Sequence, residues 1–374
     1  MLSRRPSLIL TLALLPALFG CSDKSATREP ISQTALSAIA AKPDAPRELL
    51  ARAVDDLFTD PAMGETRAFL ILHNGRIVAE RYAEGYNRDS KLVGWSMSKS
   101  ITGVMIGLLV ADGRLALDKT APIPMWQRAG DPRGEITLKQ LLQMRSGLRH
   151  VEQAQPVPTS DTVRMLFLDG RDDMAAYAEA QPLQYAAGSK WLYSTETTVI
   201  LADLAARVLT DSPDPTLRRQ AVAEYLHTRL FDPLGMHSMR GEFDAAGSLI
   251  GGSLIHGTAR DWAKFGEFLR NMGSVRGAQI LPRDWVTFMT TPNPHNPGYG
   301  AQLWLNYPQS DGSEVLFPRR APENLFACLG HGGQYVIVSP NQHLTIVRLG
   351  KTDEDKRGPL REKLADITEM FESD

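Results

Sequence analysis

An excess of charge of either sign is missing from this chain. Its 374 residues carry 41 Lys and Arg against 43 Asp and Glu, a formal balance of −2, and no basic stripe breaks that balance locally. The electrostatic footprint of a nucleic-acid binder is therefore absent. Cysteine is scarcer still, and two residues cannot build a disulfide scaffold. No repeat recurs at the usual periods. The eight histidines include no His-Glu-x-x-His or other paired-ligand spacing, so no metal or other cofactor is expected. What remains is 43% hydrophobic and 22% charged residues, which excludes disorder and suffices for a sizeable core. Thirty Gly and 24 Pro suit a loop-rich enzyme better than a helical bundle.

The amino terminus carries an address rather than a fold. Arg4 and Arg5 precede an apolar run from Leu8 to Gly20, too short for the roughly 20 residues of a spanning helix. Residues 1–20 are thus expected to be a signal peptide. Leu18-Phe19-Gly20-Cys21 resembles the bacterial lipobox, which makes Cys21 the lipidated first residue of the mature chain. Such cysteines usually carry further acylation on the freed amine, since one acyl chain alone holds a protein to membrane only marginally. Ser22 in place of Asp after it points to the outer membrane, facing the periplasm, within the bacterial cell envelope. Residues 21–46, rich in Ser, Ala, Lys, Pro and Thr without a sustained period, read as a flexible tether, and residues 47–374 as a single domain of two lobes. Cys328, flanked by Leu325, Phe326 and Leu329, reads as a buried, inert thiol.

Within the domain, Ala68–Leu72 and Arg76–Tyr82 flank His73-Asn74-Gly75, and Asn-Gly supplies the positive φ angles of a tight hairpin. A second hairpin is expected from Tyr335–Ser339 and Leu344–Leu349. A last helix after Gly358-Pro359 places Leu360, Leu364, Ile367 and Phe371 on one stripe. The long stretch between the hairpins is mostly helical in pattern, as in Thr197–Leu209 and Ala259–Met272. The expected class is α+β: one antiparallel sheet from both chain ends, flanked by helices, with a large helical lobe inserted.

The chemistry concentrates where that insertion begins. Ser96 and Lys99 form a Ser-x-x-Lys pair, and a spacing of three stacks both side chains on one helix face. The residues after them are apolar almost all round, so the helix belongs inside the protein. Burial disfavours the ammonium and lowers the pKa of Lys99 toward the range in which it accepts a proton from serine. Ser96 at the helix start also meets free backbone N–H groups and the positive end of the helix dipole. Tyr193, in Trp191-Leu192-Tyr193-Ser194-Thr195, is the second candidate, because a tyrosine beside a buried lysine can shed its proton more easily and shuttle protons. The third is the turn His331-Gly332-Gly333-Gln334, where backbone can approach a ligand closely. The Gln334 N–H is expected to complete an oxyanion hole with that of Ser96. Each signal alone is weak. Ser96 could be a plain helix cap, Lys99 a solvated side chain and Tyr193 a core residue.

The three motifs, in this order, resemble the serine β-lactamases and penicillin-binding proteins, specifically the class C β-lactamase-like hydrolases with their esterase, D-aminopeptidase and 6-aminohexanoate-dimer hydrolase branches. The likeness runs from about Thr66 to the end and includes Ala111-Asp112-Gly113-Arg114-Leu115, Leu141–Leu148 and Pro233-Leu234-Gly235-Met236. It implies a catalyst that cleaves an ester or amide of a small molecule through an acyl-enzyme on Ser96, with Lys99 and Tyr193 as general base and acid. Two departures stand out. Thr195 occupies the place of the Asn common in the tyrosine motif, and His331-Gly332-Gly333 the place of Lys-Thr-Gly. A mostly neutral histidine holds a β-lactam carboxylate less firmly, so weak penicillinase activity is expected. The Tyr193-Ser194-Thr195 context resembles the nylon-oligomer hydrolase branch most. Nor is this the nucleophile elbow of α/β-hydrolases, because position 98 is Ser, not Gly. A rival reading keeps the fold without the catalysis, as an envelope lipoprotein that binds.

Overall fold

The computed structural model describes residues 30–373. The expected signal peptide and the lipidation at Cys21 lie outside those residues. The main sheet consists of β1 Glu65–His73, β2 Arg76–Tyr82, β3 Trp304–Leu305, β4 Phe326–Gly330, β5 Gln334–Ser339 and β6 Leu344–Lys351. Their spatial order is β2-β1-β6-β5-β4-β3, with every neighbour antiparallel. The helices that matter for the site and its support are α1 Gln33–Ser37, α2 Arg47–Thr59, α3 Ser98–Ala111, α4 Thr195–Leu209, α5 Ala259–Arg270 and α6 Arg357–Glu369.

Both expected hairpins form, and they meet in the middle of the sheet: β1 pairs with β6 from Glu65 opposite Lys351 to His73 opposite Leu344. Asn74 (φ 52°) and Gly75 (φ 71°) adopt the positive angles that match the twist of the flanking strands. Along β1 the two-residue period sorts side chains between two cores. Phe69 and Ile71 pack with Leu50, Val54 and Leu57 of α2 and with Leu360, Leu364 and Ile367 of α6. Ala68, Leu70 and Leu72 face the other way, toward Ile101 and Val104 of α3 and Trp262 and Phe265 of α5. Each fully buried Leu, Ile or Phe contributes about 1.5–3 kcal/mol, so two layers of them clamp the sheet from both sides. The mainly helical lobe lies between the hairpins in sequence, as the pattern predicts. Helix α4 begins at Thr195, two residues earlier than expected, because the Ser194 hydroxyl accepts the Thr197 N–H at 3.0 Å and caps it. Helix α5 stops at Arg270 rather than Met272.

The tether needs correction. Residues 32–40 are folded onto the domain: Ala35 and Ile39 are buried, the Ala40 N–H donates to Val78 O (2.9 Å), and the Glu80 N–H donates to Ala38 O (2.9 Å). This short segment covers the edge of β2, whose backbone groups would otherwise go unpaired. A five-residue helix is too short to print a period on the sequence, which is why the composition alone read as linker.

Arg348, in the middle of β6, is fully buried, and among the described residues no carboxylate pairs with it. Its guanidinium donates to Thr66 Oγ1 (3.1 Å), Gly333 O (2.9 Å), Glu65 O (2.9 Å) and Thr352 Oγ1 (2.9 Å), and more distantly to Gly332 O and Met63 O. Burial pushes its pKa down to about 10. It thereby ties the Gly332-Gly333 turn to both chain ends. Arg348→Met fills the space but strips these acceptors, and is expected to cost about 2–4 kcal/mol of unfolding free energy. The urea midpoint measures this, and an unchanged midpoint contradicts the role.

Candidate active site

Ser96 sits one step ahead of where the pattern put it. It occupies a 3-10 turn, Trp95–Met97, that runs directly into α3, so Lys99 lies in the first turn of α3 proper. The spacing of three survives the change of helix type, and Lys99 Nζ stands 3.0 Å from Ser96 Oγ. Trp95 holds a φ of +49°, a strained angle for a bulky residue directly before the candidate nucleophile. Its ring meets His331 edge-on at 5.7 Å.

Lys99 is 1% exposed, as the apolar run of α3 requires. Besides Ser96, its amine reaches Thr195 Oγ1 (2.8 Å) and Gly252 O (2.8 Å). Burial lowers its pKa to about 8, against the opposing pull of Glu152. A carbonyl can only accept. The Thr195 hydroxyl has already given its proton to Glu152 Oε1 at 2.6 Å, so it too can only accept from Lys99. With two N–H bonds so committed, the lone pair of a neutral Lys99 is left for Ser96. Here the threonine found in place of Asn has a structural role.

The phenol of Tyr193 lies near Ser96, whose hydroxyl pulls its pKa down slightly against burial, and Lys99 Nζ lies 4.9 Å from the centre of its ring. The expectation that this tyrosine sheds its proton easily is corrected. Burial, aided by the charge of Glu152, drives its pKa well above the ordinary phenol value, so it rests as a neutral hydroxyl. Tyr193 leans on Trp304 (ring centres 5.2 Å apart) and Tyr299 (5.9 Å), which with Trp191 form an aromatic wall. The cleft over Ser96 encloses about 620 Å³ and is lined by Tyr193, Trp304, His331, Arg357 and Arg361.

The third candidate region is rearranged relative to expectation. Strand β4 packs closely against the Ser96 turn, which β5 also touches, and a Cβ on Gly330 would come within 2.2 Å of Gly94 O. Because β3 pairs only with Phe326 and Ala327, the end of β4 at Leu329 and Gly330 has no strand on its outer edge among the described residues. Gln334 stands across from Gly330 on β5, and its amide is spent inside the turn, donating to Gly350 O (2.6 Å) and accepting the Gly350 N–H (2.9 Å). The Gln334 side chain therefore braces the turn, while the residue itself still lines the cleft over Ser96. The free edge beside Ser96 belongs to β4, one strand spacing nearer. His331 is half-buried, and burial together with Arg357 lowers its pKa, which keeps it neutral at pH 7. Cys328 is buried, with its thiol pushed up to about 12.

Three participants escaped the sequence: Glu152, Gly252 and the aromatic wall. Glu152 accepts both the Thr195 N–H (2.8 Å) and the Thr195 hydroxyl, yet lies 43 residues away in a loop without any pattern of its own. Among the described residues, His150, Asp161 and Glu196 form a group with metal-ligating side chains close together. Asp161 already accepts from Arg149, Tyr177 and the Val151 N–H, which makes the group an ionic network.

A buried amine on a serine, with a neutral phenol beside it, on an antiparallel sheet built from both chain ends, defines the β-lactamase/transpeptidase-like fold. The chain belongs to the Beta-lactamase family, whose model matches residues 54–369. A 6-aminohexanoate-dimer hydrolase of Paenarthrobacter ureafaciens is 27% identical over 303 residues, 78% of this chain and 74% of that protein. A Bacillus anthracis structure, provisionally assigned the same name, superposes with a TM-score of 0.66 at 23% identity, covering 81% of this chain and 79% of the other. A family VIII carboxylesterase follows at 0.63 and 18% identity, with 88% and 98% covered. The protein is a hydrolase of this fold.

Holding Lys99 charged in this site costs about 3 kcal/mol, the equivalent of a pKa drop from 10.5 to about 8. That cost is full below pH 8, where the lysine is protonated both folded and unfolded, and fades as pH rises toward 10.5. Relative to Lys99→Met, the wild type is therefore expected to gain about 2–3 kcal/mol of unfolding free energy between pH 7 and pH 10. Urea unfolding of both proteins at the two pH values checks it, and a constant difference contradicts it.

Proposed function

We propose that the protein cleaves an ester or amide bond of a small molecule through an acyl-enzyme on Ser96. The observation that carries this reading is the buried Lys99 amine, 3.0 Å from Ser96 Oγ with its other two partners fixed as acceptors. Ser96 attacks the carbonyl carbon while its proton passes to the Lys99 lone pair. The alkoxide of the tetrahedral intermediate is received by the Ser96 N–H and the open edge of β4, where each donor is worth about 2.7–4 kcal/mol of transition-state stabilisation. Tyr193 hands its proton to the departing alcohol or amine and takes back the proton that Lys99 received from Ser96, which leaves the lysine neutral again. A water, deprotonated by the same lysine, then clears the acyl group. With His331 neutral in place of a lysine, a β-lactam carboxylate is held weakly, and Thr195 offers the substrate no side-chain amide. The aromatic wall favours an uncharged acyl group instead.

Incubation with a fluorophosphonate is expected to label the wild type and to leave Ser96→Ala unlabelled. Short-chain p-nitrophenyl esters are expected to turn over well ahead of nitrocefin. Absence of label under all conditions favours the non-catalytic binding role, and a reversed substrate ranking favours a β-lactamase. Comparison with short linear amides tells the esterase from the amide hydrolase.

The amino-terminal sequence supports a second part of the proposal, that Cys21 is lipidated and anchors the enzyme to the bacterial envelope. Among the described residues no helix is long and apolar enough to cross a membrane. Labelled palmitate is expected in the membrane-bound wild type and to vanish in Cys21→Ser. Equal labelling of both removes the anchor.

A further inference from the structure

Behind Lys99 lies a run of buried polar groups that acyl transfer itself does not consume. Glu152, on the loop before the helix Asp161–Phe167, grips Thr195 with both oxygens: Oε1 takes the hydroxyl (2.6 Å) and Oε2 the backbone N–H (2.8 Å). The same Oε2 lies 2.6 Å from His150 Nε2, and the other nitrogen of that ring stands 2.9 Å from Glu196 Oε2 on α4. His150 and Glu196 are both almost wholly buried. A ring with a carboxylate at each nitrogen is cationic. Burial alone would lower its pKa, but the hydrogen bond to Glu152 and the ion pair with Glu196 raise it to about 9. Glu152 is correspondingly held ionised, near 2, because His150, Lys99 and Thr195 outweigh its burial. Thr162 adds a contact to His150 Nε2 at 3.3 Å, and Arg149 and Tyr177 close the network around Asp161.

The orientation of one proton depends on this arrangement. A threonine hydroxyl beside a lysine can donate to the amine or accept from it, and donation would occupy the lone pair that Ser96 needs. An ionised carboxylate accepts only, so Glu152 forces the Thr195 proton away from Lys99. The charge of Glu152 also favours the ammonium form of Lys99, and that charge faces the cationic ring of His150 2.6 Å from its Oε2. Tyr193 and Tyr299, the other titratable groups packed here, are neutral, both raised first of all by burial.

We propose that Glu152, clamped by His150 and Glu196, is a positioning residue that aims the Lys99 lone pair at Ser96 through Thr195, and that the Glu152–His150 pair sets the pH at which the site switches on. The inference rests on the serine-hydrolase reading above. Because only neutral Lys99 accepts the serine proton, kcat climbs with pH through the lysine pKa. Removing the negative neighbour must move that acid limb down, and removing its positive partner must move it up.

The test compares Glu152→Gln, His150→Gln, Thr195→Val and Thr195→Ser with wild type. It records pH profiles of kcat and KM on a short-chain p-nitrophenyl ester, fluorophosphonate labelling rates, and thermal melts as a control for folding. Glu152→Gln is expected to shift the acid limb to lower pH and His150→Gln to higher pH, each by ~0.5–1 pH unit. Thr195→Val is expected to lose kcat by ~30–100-fold at unchanged KM, and Thr195→Ser to restore it to within ~3-fold of wild type. A merely structural cluster would not produce shifts of opposite sign. Parallel shifts, unshifted limbs, a Thr195→Val variant as fast as Thr195→Ser, or an effect of Glu152→Gln on KM alone overturn the proposal, the last by making Glu152 a substrate contact. Failure of the wild type to label at Ser96 overturns the underlying reading instead, whatever the variants do.

Discussion

The molecule is organised around a single amine that must give up its charge without giving up its direction. Water would stabilise the Lys99 ammonium and let its side chain rotate. The protein removes the water, which lowers the pKa to about 8, and replaces it with Thr195, Gly252 and Ser96, drawn from segments 96, 153 and 3 residues away. Desolvation alone would leave an amine of undefined orientation. Two acceptors fixed in place make its lone pair point at the remaining oxygen.

This constraint accounts for much of the surrounding architecture. Helix α3 is buried from Ser98 to Leu109 because a helix carrying a desolvated lysine cannot lie on a surface. Helix α4, packed beside it and buried from Thr195 to Ala206, delivers Thr195 at its capped first turn. The sheet contributes an edge rather than a side chain, since β4 ends against the Ser96 turn beyond the reach of β3. Arg348 and Gln334, which look like misplaced polar residues in a sheet core, hold the turn that follows this edge. Buried polar groups around the site are thus placed where geometry has to be held, and Lys99, Thr195, Glu152, Gln334 and Arg348 are all hydrogen-bonded.

Much of this could be read along the chain wherever the cause is local. The Asn74-Gly75 hairpin, the apolar run of α3 and the stripe of Leu360, Leu364, Ile367 and Phe371 express backbone preference and periodicity within a few residues. Ser96 and Lys99 belong to the same class, because three residues of helix put them together. The folded strap at residues 32–40 was illegible because it is held by a strand edge 40 residues further on and carries no period of its own. A glycine-rich turn shows that backbone is exposed, but not which of its two strands faces the serine.

Amino-acid order alone was enough to establish a buried lysine one helical turn from a serine, a tyrosine ahead of a second buried helix, and a sheet closed by the two ends of the chain. Those features follow from spacing and from the aversion of apolar surface to water. Folding had to supply the partners of the lysine, the neutrality of the tyrosine and the identity of the open strand edge. Glu152, Gly252 and Trp304 acquire meaning only through neighbours distant in the chain, and a pKa is a property of surroundings that no linear spacing encodes.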